Sequence, residues 1–164
     1  APQVDQVVDR HDGRPRRQPI PALQALRGEG QSAGPLTVES GSHVLANLRG
    51  TALEIEAALQ LDGAAAGLRL CSNEDGSAGV EICWDGATLT AGGSPVALPA
   101  GLTRTLDLHI YLDRSILEVF ADGGRVAVTR VVYPPVEDQA VAVFAEGGAA
   151  HFTRLDGWTM KGTW

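Results

Sequence analysis

Apolar and polar residues alternate through the run from Leu53 to Leu61. Every second position in this run is apolar, whereas Glu54, Glu56 and Gln60 stand between them. A period of two sends alternate side chains to opposite faces of a strand, so the run predicts a half-buried β-strand. Similar short runs recur at intervals of roughly ten residues with turn-forming residues between them. The further predicted strands are 67–72, 80–85, 87–90, 106–112, 116–121, 125–133, 140–145 and 151–158.

Many short strands with few helices predict an all-β fold. The expected architecture is an antiparallel two-sheet β-sandwich, a lectin-like jelly roll, with a short N-terminal extension. Residues 1–18 are polar and arginine-rich, which predicts an extension or the remnant of an interdomain linker. Residues 19–164 are predicted to form the β-sandwich domain. Residues 18–27 predict one short helical turn, and residues 28–35 predict a loop.

The predicted hairpin 67–85 has a turn-forming sequence, NEDGSAG, between two apolar runs. If Ser77 is its centre, Trp84 faces the core opposite Leu70, and Cys71 lies opposite Cys83. Cross-strand Cβ separations of about 4.5–5.5 Å are slightly wide for a disulfide, which prefers about 3.8 Å. The sequence therefore leaves two alternatives: a Cys71–Cys83 disulfide, or two free thiols on a sheet surface.

Composition narrows the classes of function. The chain has 164 residues, of which 44% are hydrophobic and 20% charged, as is typical of soluble globular proteins. No apolar run approaches the roughly 20 residues that a membrane helix needs, and the N-terminus has no apolar segment typical of a signal peptide. The net charge of −7 argues against a nucleic-acid partner. Two cysteines without a CxxC spacing and four scattered histidines predict no metal site and no cofactor.

Two carboxylates in the sequence DRSILEVFADGG, residues 113–124, are the first candidates for acid/base chemistry. A retaining glycosidase places such a pair about 5–5.5 Å apart in a pocket that binds sugar. Asp113 and Glu118, however, share no obvious surface in a strand-and-turn reading. Turns at 113–115 and 122–124 explain most of the polar residues, so a structural role is favoured and the two residues remain candidates only.

The longer stretch LDLHIYLDRSILEVFADGGRVAVTRVVYP closely resembles the signature hairpins of the C-terminal β-sandwich of glycoside hydrolase family 32. This family contains invertases, inulinases, levanases and fructan transferases, and the resemblance covers residues 13–164. The positions that match its pattern are Asp113-Arg114-Ser115, Glu118-Val119-Phe120, Gly124, Thr129 and Tyr133-Pro134.

The resemblance also locates the family's catalytic carboxylates elsewhere. They belong to an N-terminal five-bladed propeller, where they lie in NDPNG, RDP and Glu-Cys motifs. None of these three motifs occurs in this sequence. The resemblance therefore implies no catalytic residue here. It implies an accessory module that stabilises or shapes a fructan- or sucrose-acting β-fructosidase, with a catalytic propeller domain or another subunit as partner. It further implies a secreted enzyme in an extracellular or periplasmic location.

Two other functions stay open. One is a stand-alone β-fructosidase acting on sucrose, inulin or levan through Asp113 and Glu118 or through Glu54 and Glu56. The other is a stand-alone fructan-binding module, since sugars often bind to aromatic platforms. The aromatic candidates for that contact are Tyr111, Trp158 and Trp164.

Overall fold

The fold is given by a computed structural model that describes residues 4–8, 15–19, 21–99 and 104–161, the first of these ranges as backbone only. This part of the chain contains fifteen β-strands and two short 3₁₀ helices, Pro21–Leu26 and Asp122–Gly124. The strands are β1 (Val4–Val8), β2 (Pro15–Pro19), β3 (Arg27–Ser32), β4 (Leu36–Val38), β5 (Gly41–Arg49), β6 (Ala52–Leu61), β7 (Ala65–Ser72), β8 (Val80–Trp84), β9 (Thr88–Ala91), β10 (Ser94–Ala97), β11 (Thr105–Asp113), β12 (Ile116–Ala121), β13 (Val126–Val131), β14 (Ala140–Glu146) and β15 (Ala150–Met160).

Two large antiparallel sheets form a β-sandwich, as the sequence predicts. One sheet has six strands in the order β10-β9-β8-β7-β14-β5. The other has seven, in the order β13-β12-β11-β6-β15-β3, and β4 also pairs with β15. The eleven-residue strand β15 has β6 on one side and both β3 and β4 on the other. Strands β1 and β2 form a separate hairpin that covers most of the predicted N-terminal extension and ends at Pro19.

The core lies between the two sheets. Leu53, Ile55 and Leu59 of β6 are fully buried in it, which confirms the half-buried strand predicted from alternation. Trp84, which is expected to face the core, is buried there together with Phe152. Phe144 is buried too, but it lies outside the hydrophobic cluster between the two sheets. Its neighbours Val141 and Val143 are core residues, so alternation along β14 places Phe144 on the outer face of the six-stranded sheet.

The predicted register of the β7–β8 hairpin is wrong. Trp84 pairs with Ala66 rather than with Leu70, and Cys83 pairs with Gly67 rather than with Cys71. The turn is centred two residues earlier than expected because loop side chains hold it there. Asn73 Oδ1 accepts from the backbone N–H of Ala78, and Asp75 Oδ1 accepts from that of Ser77.

The new register separates the two cysteines. Cys71 belongs to the core, whereas Cys83 lies between the core residues Ile82 and Trp84 and therefore points to the opposite face. Both are free thiols, so the disulfide alternative is not realised. The free-thiol alternative placed both cysteines on the sheet surface. This is wrong for Cys71, which is fully buried.

The predicted loop 28–35 is also corrected, because β3 (Arg27–Ser32) is a strand paired with β15. Its sequence RGEGQS lacks apolar alternation since it is an edge strand whose glycines admit large neighbours. A Cβ atom on Gly30 would lie 2.7 Å from Nε1 of Trp158. Strands β4, β5 and β10 were likewise not predicted, whereas the short helical turn is present as the 3₁₀ helix Pro21–Leu26. No helix in the described ranges is long and apolar enough to cross a membrane.

Candidate functional site

Polar side chains gather on the outer face of the seven-stranded sheet, the face turned away from the core. The alternation that directs Leu53 and Ile55 into the core directs Glu54 and Glu56 to this face. Pairing of β11 with β6 then places Tyr111 opposite Glu54 and His109 opposite Glu56. Strands β3 and β15 supply two arginines. We call this group the Glu54 cluster; its members are Arg27, Glu54, Glu56, His109, Tyr111 and Arg154.

Glu54 is the centre of the cluster and is fully buried. Arg27 donates to both carboxylate oxygens, from Nε to Oε2 at 2.8 Å and from Nη2 to Oε1 at 2.7 Å. His109 Nε2 lies 2.8 Å from Oε1, and the Tyr111 hydroxyl donates to the same oxygen at 3.0 Å. Burial alone raises the pKa of Glu54, but these hydrogen bonds outweigh it and lower the pKa to about 2. At neutral pH the group is therefore an ionised acceptor with both oxygens occupied.

Glu56 is tied into the same arrangement. Arg27 Nη2 donates to its Oε1 at 3.1 Å, and Arg154 Nη2 donates to its Oε2. Arg154 also donates from Nε to Asp156 at 2.9 Å. Glu54 and Glu56 thus share a face, as an i, i+2 pair in a strand must, but arginines neutralise both. A buried carboxylate with a pKa of about 2 is no proton donor at neutral pH, which disfavours an acid/base role for this pair.

The cluster also contains the donor types of a metal site. One ligand atom each from Glu54, Glu56 and His109 lies within 4.8 Å of the others. Arg27, however, already donates to both carboxylates, and a cation would have to displace it. The geometry is that of a saturated ion-pair network rather than of an open coordination site.

Asp113 and Glu118 lie on this same outer face, contrary to the expectation that they share no surface. In the β11–β12 ladder Asp113 pairs with Ile116 and Glu118 with Tyr111. The two acids are therefore diagonal neighbours, at a spacing of about 7–8 Å. Asp113 is half-buried, whereas Glu118 is 6% exposed. The hairpin between them turns at Arg114, whose φ of 55° agrees with the predicted tight connection. Their catalytic assignment stays a prediction.

The aromatic candidates for sugar contact are not open platforms. Tyr111 is buried, stacks on His109 with ring centroids 4.9 Å apart and uses its hydroxyl to bind Glu54. Trp158 is half-buried, and the guanidinium carbon of Arg27 lies 3.6 Å from the centroid of its ring. Trp164 lies outside the described residues. Sugar binding by these residues therefore stays a prediction, and the arrangement leaves Tyr111 no free face for it.

Two cavities of about 190 Å³ lie in the described part of the chain, and His109 of the Glu54 cluster lines one of them. One lies between β2 and the outer-face residues of β11 and β12, and is lined by Arg17, Asp107, His109 and Phe120 among others. The second lies at the sandwich edge between β3 and β5. Neither is lined by Asp113, Glu118, Tyr111 or Trp158.

Sequence reasoning missed the side chains that bind the two glutamates of the site. His109 was one of four scattered histidines, although its alternation with Leu108 and Ile110 in β11 places it on the outer face. Arg27 was the last residue of the predicted helical turn 18–27, and no periodicity marked it as a residue of a sheet. The pairing of β6 with β11 and β15, which brings these residues together, is not encoded in the pattern of any single strand.

Comparison with known proteins identifies the region. The family model described as glycosyl hydrolases family 32 C terminal matches residues 22–159. Raffinose invertase of Escherichia coli is 26% identical over 163 residues, covering 93% of this chain and 33% of that protein. Levanase of Bacillus subtilis is 27% identical over 165 residues, covering 89% of this chain and 24% of that protein. The chain thus spans about a third or less of these curated relatives.

Solved structures show the same fold. Fructan 1-exohydrolase IIa from Cichorium intybus superposes with a TM-score of 0.82 at 15% identity, over 96% of this chain and 40% of that one. Exo-inulinase from Aspergillus awamori gives a TM-score of 0.78 at 16% identity, over 99% and 35%. Because the family model spans most of the sequence, the chain belongs to glycoside hydrolase family 32, in the C-terminal β-sandwich region that the model describes.

Proposed function

We propose that this chain is the accessory β-sandwich module of a β-fructosidase-type glycoside hydrolase. Its role is to stabilise or shape an enzyme whose catalytic carboxylates lie outside it. The observation that carries the proposal is the extent of the match, since the relatives share this region but are about three to four times longer. The family's catalytic motifs, as the resemblance gives them, are absent from the sequence.

The state of the carboxylates supports an accessory role. A glycosidase needs one acid that holds its proton and one accessible carboxylate, both facing a sugar pocket. Glu54 is buried and ionised, Glu56 is bound by two arginines, and neither Asp113 nor Glu118 lines either of the two cavities. This arrangement favours structure over catalysis on the outer face.

The partners follow from the relatives. The solved relatives include a fructan 1-exohydrolase IIa complexed with 1-kestose, and the curated ones a raffinose invertase and a levanase. The proposed partner is therefore a catalytic domain, or another subunit, that acts on fructan or sucrose-type carbohydrate. An extracellular or periplasmic location belongs to the same proposal and rests on the family alone.

A fusion tests the accessory role. The C-terminal third of Escherichia coli raffinose invertase, the part that this chain matches, is replaced by the full 164-residue chain. We expect the fusion to hydrolyse sucrose and to melt at a higher temperature than the truncated enzyme without a sandwich. A fusion no more stable and no more active than the truncated enzyme would contradict the proposal.

A second measurement addresses catalysis by the chain alone. The purified chain is incubated with sucrose, inulin and levan, and released fructose is measured beside retention on insoluble fructan. We expect neither release nor retention. Release that is abolished by Glu118→Gln or Asp113→Asn would identify a stand-alone fructosidase, and retention without release would identify a fructan-binding module.

A further inference from the structure

The cavity of about 190 Å³ between β3 and β5 lies at one edge of the sandwich. The last strand of each sheet borders it, because β5 ends the order of the six-stranded sheet and β3 ends that of the seven-stranded sheet. Strand β15, the neighbour of β3, contributes Leu155 and Gly157 to its wall. No member of the Glu54 cluster lines this cavity, so its chemistry is separate from that of the ion-pair network.

The irregular course of β5 shapes the cavity. β5 pairs with β14 at Val44 and again at Arg49, but only one residue of β14 separates the two partners. Residues 45–48 therefore bulge out of the ladder, and all four line the cavity. Leu48 reaches across the edge to β15, where the absence of a side chain on Gly157 makes room for it. Bulges re-aim side chains and are over-represented next to active sites.

The lining combines an apolar floor with polar groups that carry no fixed charge. Leu45, Leu48 and Leu155 are buried and form the floor. None of the described residues that line the cavity is an aspartate, glutamate, lysine or arginine, so a charged ligand would find no counter-ion there. The polar side chains stand at the mouth, where they are exposed or half-buried; they are Gln31, Ser32, His43 and Asn47.

The polar side chains at the mouth have unused hydrogen-bonding capacity. Among the residues that the structure describes, none hydrogen-bonds to the side chains of Gln31, His43 or Asn47. An amide side chain offers both donors and an acceptor, and a neutral imidazole offers one of each. A sugar hydroxyl likewise donates and accepts, while the C–H groups of a sugar ring match an apolar floor. A few placed polar groups over an apolar lining are typical of small-molecule sites.

The volume limits the ligand to one ring. Pockets for drug-sized ligands enclose about 300–1,000 Å³, so 190 Å³ accommodates a single sugar residue rather than an oligosaccharide. A ligand of this size gains little affinity, and we expect a dissociation constant on the order of 1 mM. Binding this weak does not hold the protein on insoluble fructan, which agrees with the absence of retention expected above.

We propose that this cavity, called here the β5 pocket, binds one neutral sugar residue. The β5 pocket is made of the leucine floor and the four polar side chains at the mouth, which hydrogen-bond the hydroxyl groups of the ring. It contains none of the aromatic residues that the sequence suggested for sugar contact. For the kind of sugar, a fructosyl or glucosyl unit, the inference rests on the proposed function, since the relatives include a raffinose invertase and a levanase.

The test is a titration of the full 164-residue chain, followed through its backbone amide chemical shifts by NMR at pH 7. Fructose and glucose are added separately to about 100 mM, well above the expected dissociation constant. We expect saturable shifts at residues 31–33, 43–48 and 155–157, and the two titrations show which ring the pocket accepts. Fructose 6-phosphate should bind no more tightly than fructose, because no arginine or lysine of the pocket meets its phosphate.

Variants locate the binding. Asn47→Ala and Gln31→Ala should each weaken it about three- to tenfold, the loss expected for one hydrogen bond. Gln60→Ala removes an exposed amide that lines neither cavity, so this matched control should leave the affinity unchanged. Ala46→Phe adds a ring to an exposed residue that lines the pocket. We expect it to abolish the saturable shifts while the melting temperature stays that of the wild type.

Several results would overturn the β5 pocket as a sugar site. They are the absence of saturable shifts with both sugars, equal affinities of Asn47→Ala and the wild type, and tighter binding of fructose 6-phosphate than of fructose. Saturable shifts centred on Tyr111 and Trp158 would also overturn it, because they would place the site on the outer face of the seven-stranded sheet.

This titration and the raffinose invertase fusion fail independently. If the fusion is no more stable and no more active than the truncated enzyme, the accessory role fails, while saturable binding by the isolated chain still supports the β5 pocket. If the fusion is stabilised and the isolated chain binds neither sugar, the accessory role stands and the β5 pocket is overturned.

Discussion

The outer faces of the two sheets each carry an arginine over an aromatic ring. On the seven-stranded sheet the guanidinium carbon of Arg27 lies 3.6 Å from the ring centroid of Trp158. On the six-stranded sheet that of Arg69 lies 4.1 Å from the ring centroid of Phe144. Both arginines also pair with a glutamate. The local motif is therefore the same on the two faces.

The surroundings of the two arginines differ. The glutamate bound by Arg27, Glu54, is fully buried, whereas the side chain of Glu81, bound by Arg69, is 46% exposed. Arg69 also donates to Ser42 and to the backbone oxygen of Gly76, in the loop that covers this face.

The contrast indicates that burial of the glutamate, rather than the presence of an ion pair, determines how much the arginine contributes to the free energy of unfolding. Removing one partner of a buried pair leaves an uncompensated charge, while an exposed acid returns to water.

Replacing Arg27 is the largest expected effect and the strongest test of this contrast. Arg27→Ala leaves the Glu54 carboxylate buried with only His109 and Tyr111 as donors. We expect the free energy of unfolding at pH 7 to fall by about 4 kcal/mol, measured by urea denaturation. Arg27→Lys, the control, keeps the charge but loses the two-point contact and should recover part of the loss. A loss below about 1 kcal/mol would place the pair among ordinary surface ion pairs and erase the difference between the faces.

Acid should weaken the seven-stranded face through Glu54. Its pKa in the folded protein is about 2, below the ordinary value of 4.5, so its contribution to stability is complete above the unfolded pKa. That contribution is lost as pH falls from 4.5 towards 2, and it amounts to about 3 kcal/mol at about 1.4 kcal/mol per pKa unit. Glu118, whose pKa burial raises, acts in the opposite direction, because its protonation at low pH relieves a buried charge.

The measurement is urea denaturation of the wild type and of Glu54→Gln across this range of pH. The wild type should lose stability steeply, and the variant, less stable at pH 7, should show a flatter profile. Parallel profiles would mean that the cluster does not hold Glu54 ionised.

Replacing Arg69 should cost less. Arg69→Ala removes hydrogen bonds to Ser42 and Gly76 and the contact with the Phe144 ring, but it frees Glu81 to water. We expect a loss of about 1–2 kcal/mol in the free energy of unfolding. Arg69→Lys is the matched control for Arg27→Lys on the other face. A loss equal to that of Arg27→Ala would show that burial of the acid is not what distinguishes the two faces.

The sequence predicts the strands and the fold class better than it predicts how the strands pair. Alternation predicts β6 correctly, because a half-buried strand requires a period of two, and the hairpin register centred on Ser77 predicts the burial of Trp84 correctly. The register of the β7–β8 hairpin was nevertheless wrong. A shift by an even number of positions keeps every side chain on its face, so the apolar pattern cannot detect it. The side chains of Asn73 and Asp75 decide the register, through hydrogen bonds that no periodicity encodes.

The site was predictable only in part, because alternation assigns a side chain to a face but does not identify its neighbours on other strands. The phase of β6 places Glu54 and Glu56 on the outer face, and that much follows from the sequence. Their donors come from β3, β11 and β15, which are remote in sequence, and Arg27 stands in an edge strand without apolar alternation. Whether a carboxylate on a predicted face is exposed or buried depends on such partners, so the sequence left Glu54 as a possible catalyst.

The smallest expected effect belongs to the ion pair between Arg49, at the end of β5, and Glu74 in the loop after β7. Arg49 Nη2 donates to Glu74 Oε1 at 2.8 Å, close to the 2.7 Å from Arg27 Nη2 to Glu54 Oε1. Both side chains of this pair are exposed, at 46% and 79%, so water replaces the interaction when it is lost. We expect Arg49→Ala to leave the urea midpoint unchanged within error at pH 7, with Glu74→Gln as its matched control. A loss comparable to that of Arg27→Ala would show that contact distance, rather than burial, governs these ion pairs, and the comparison between the two faces would have to be redrawn on that basis.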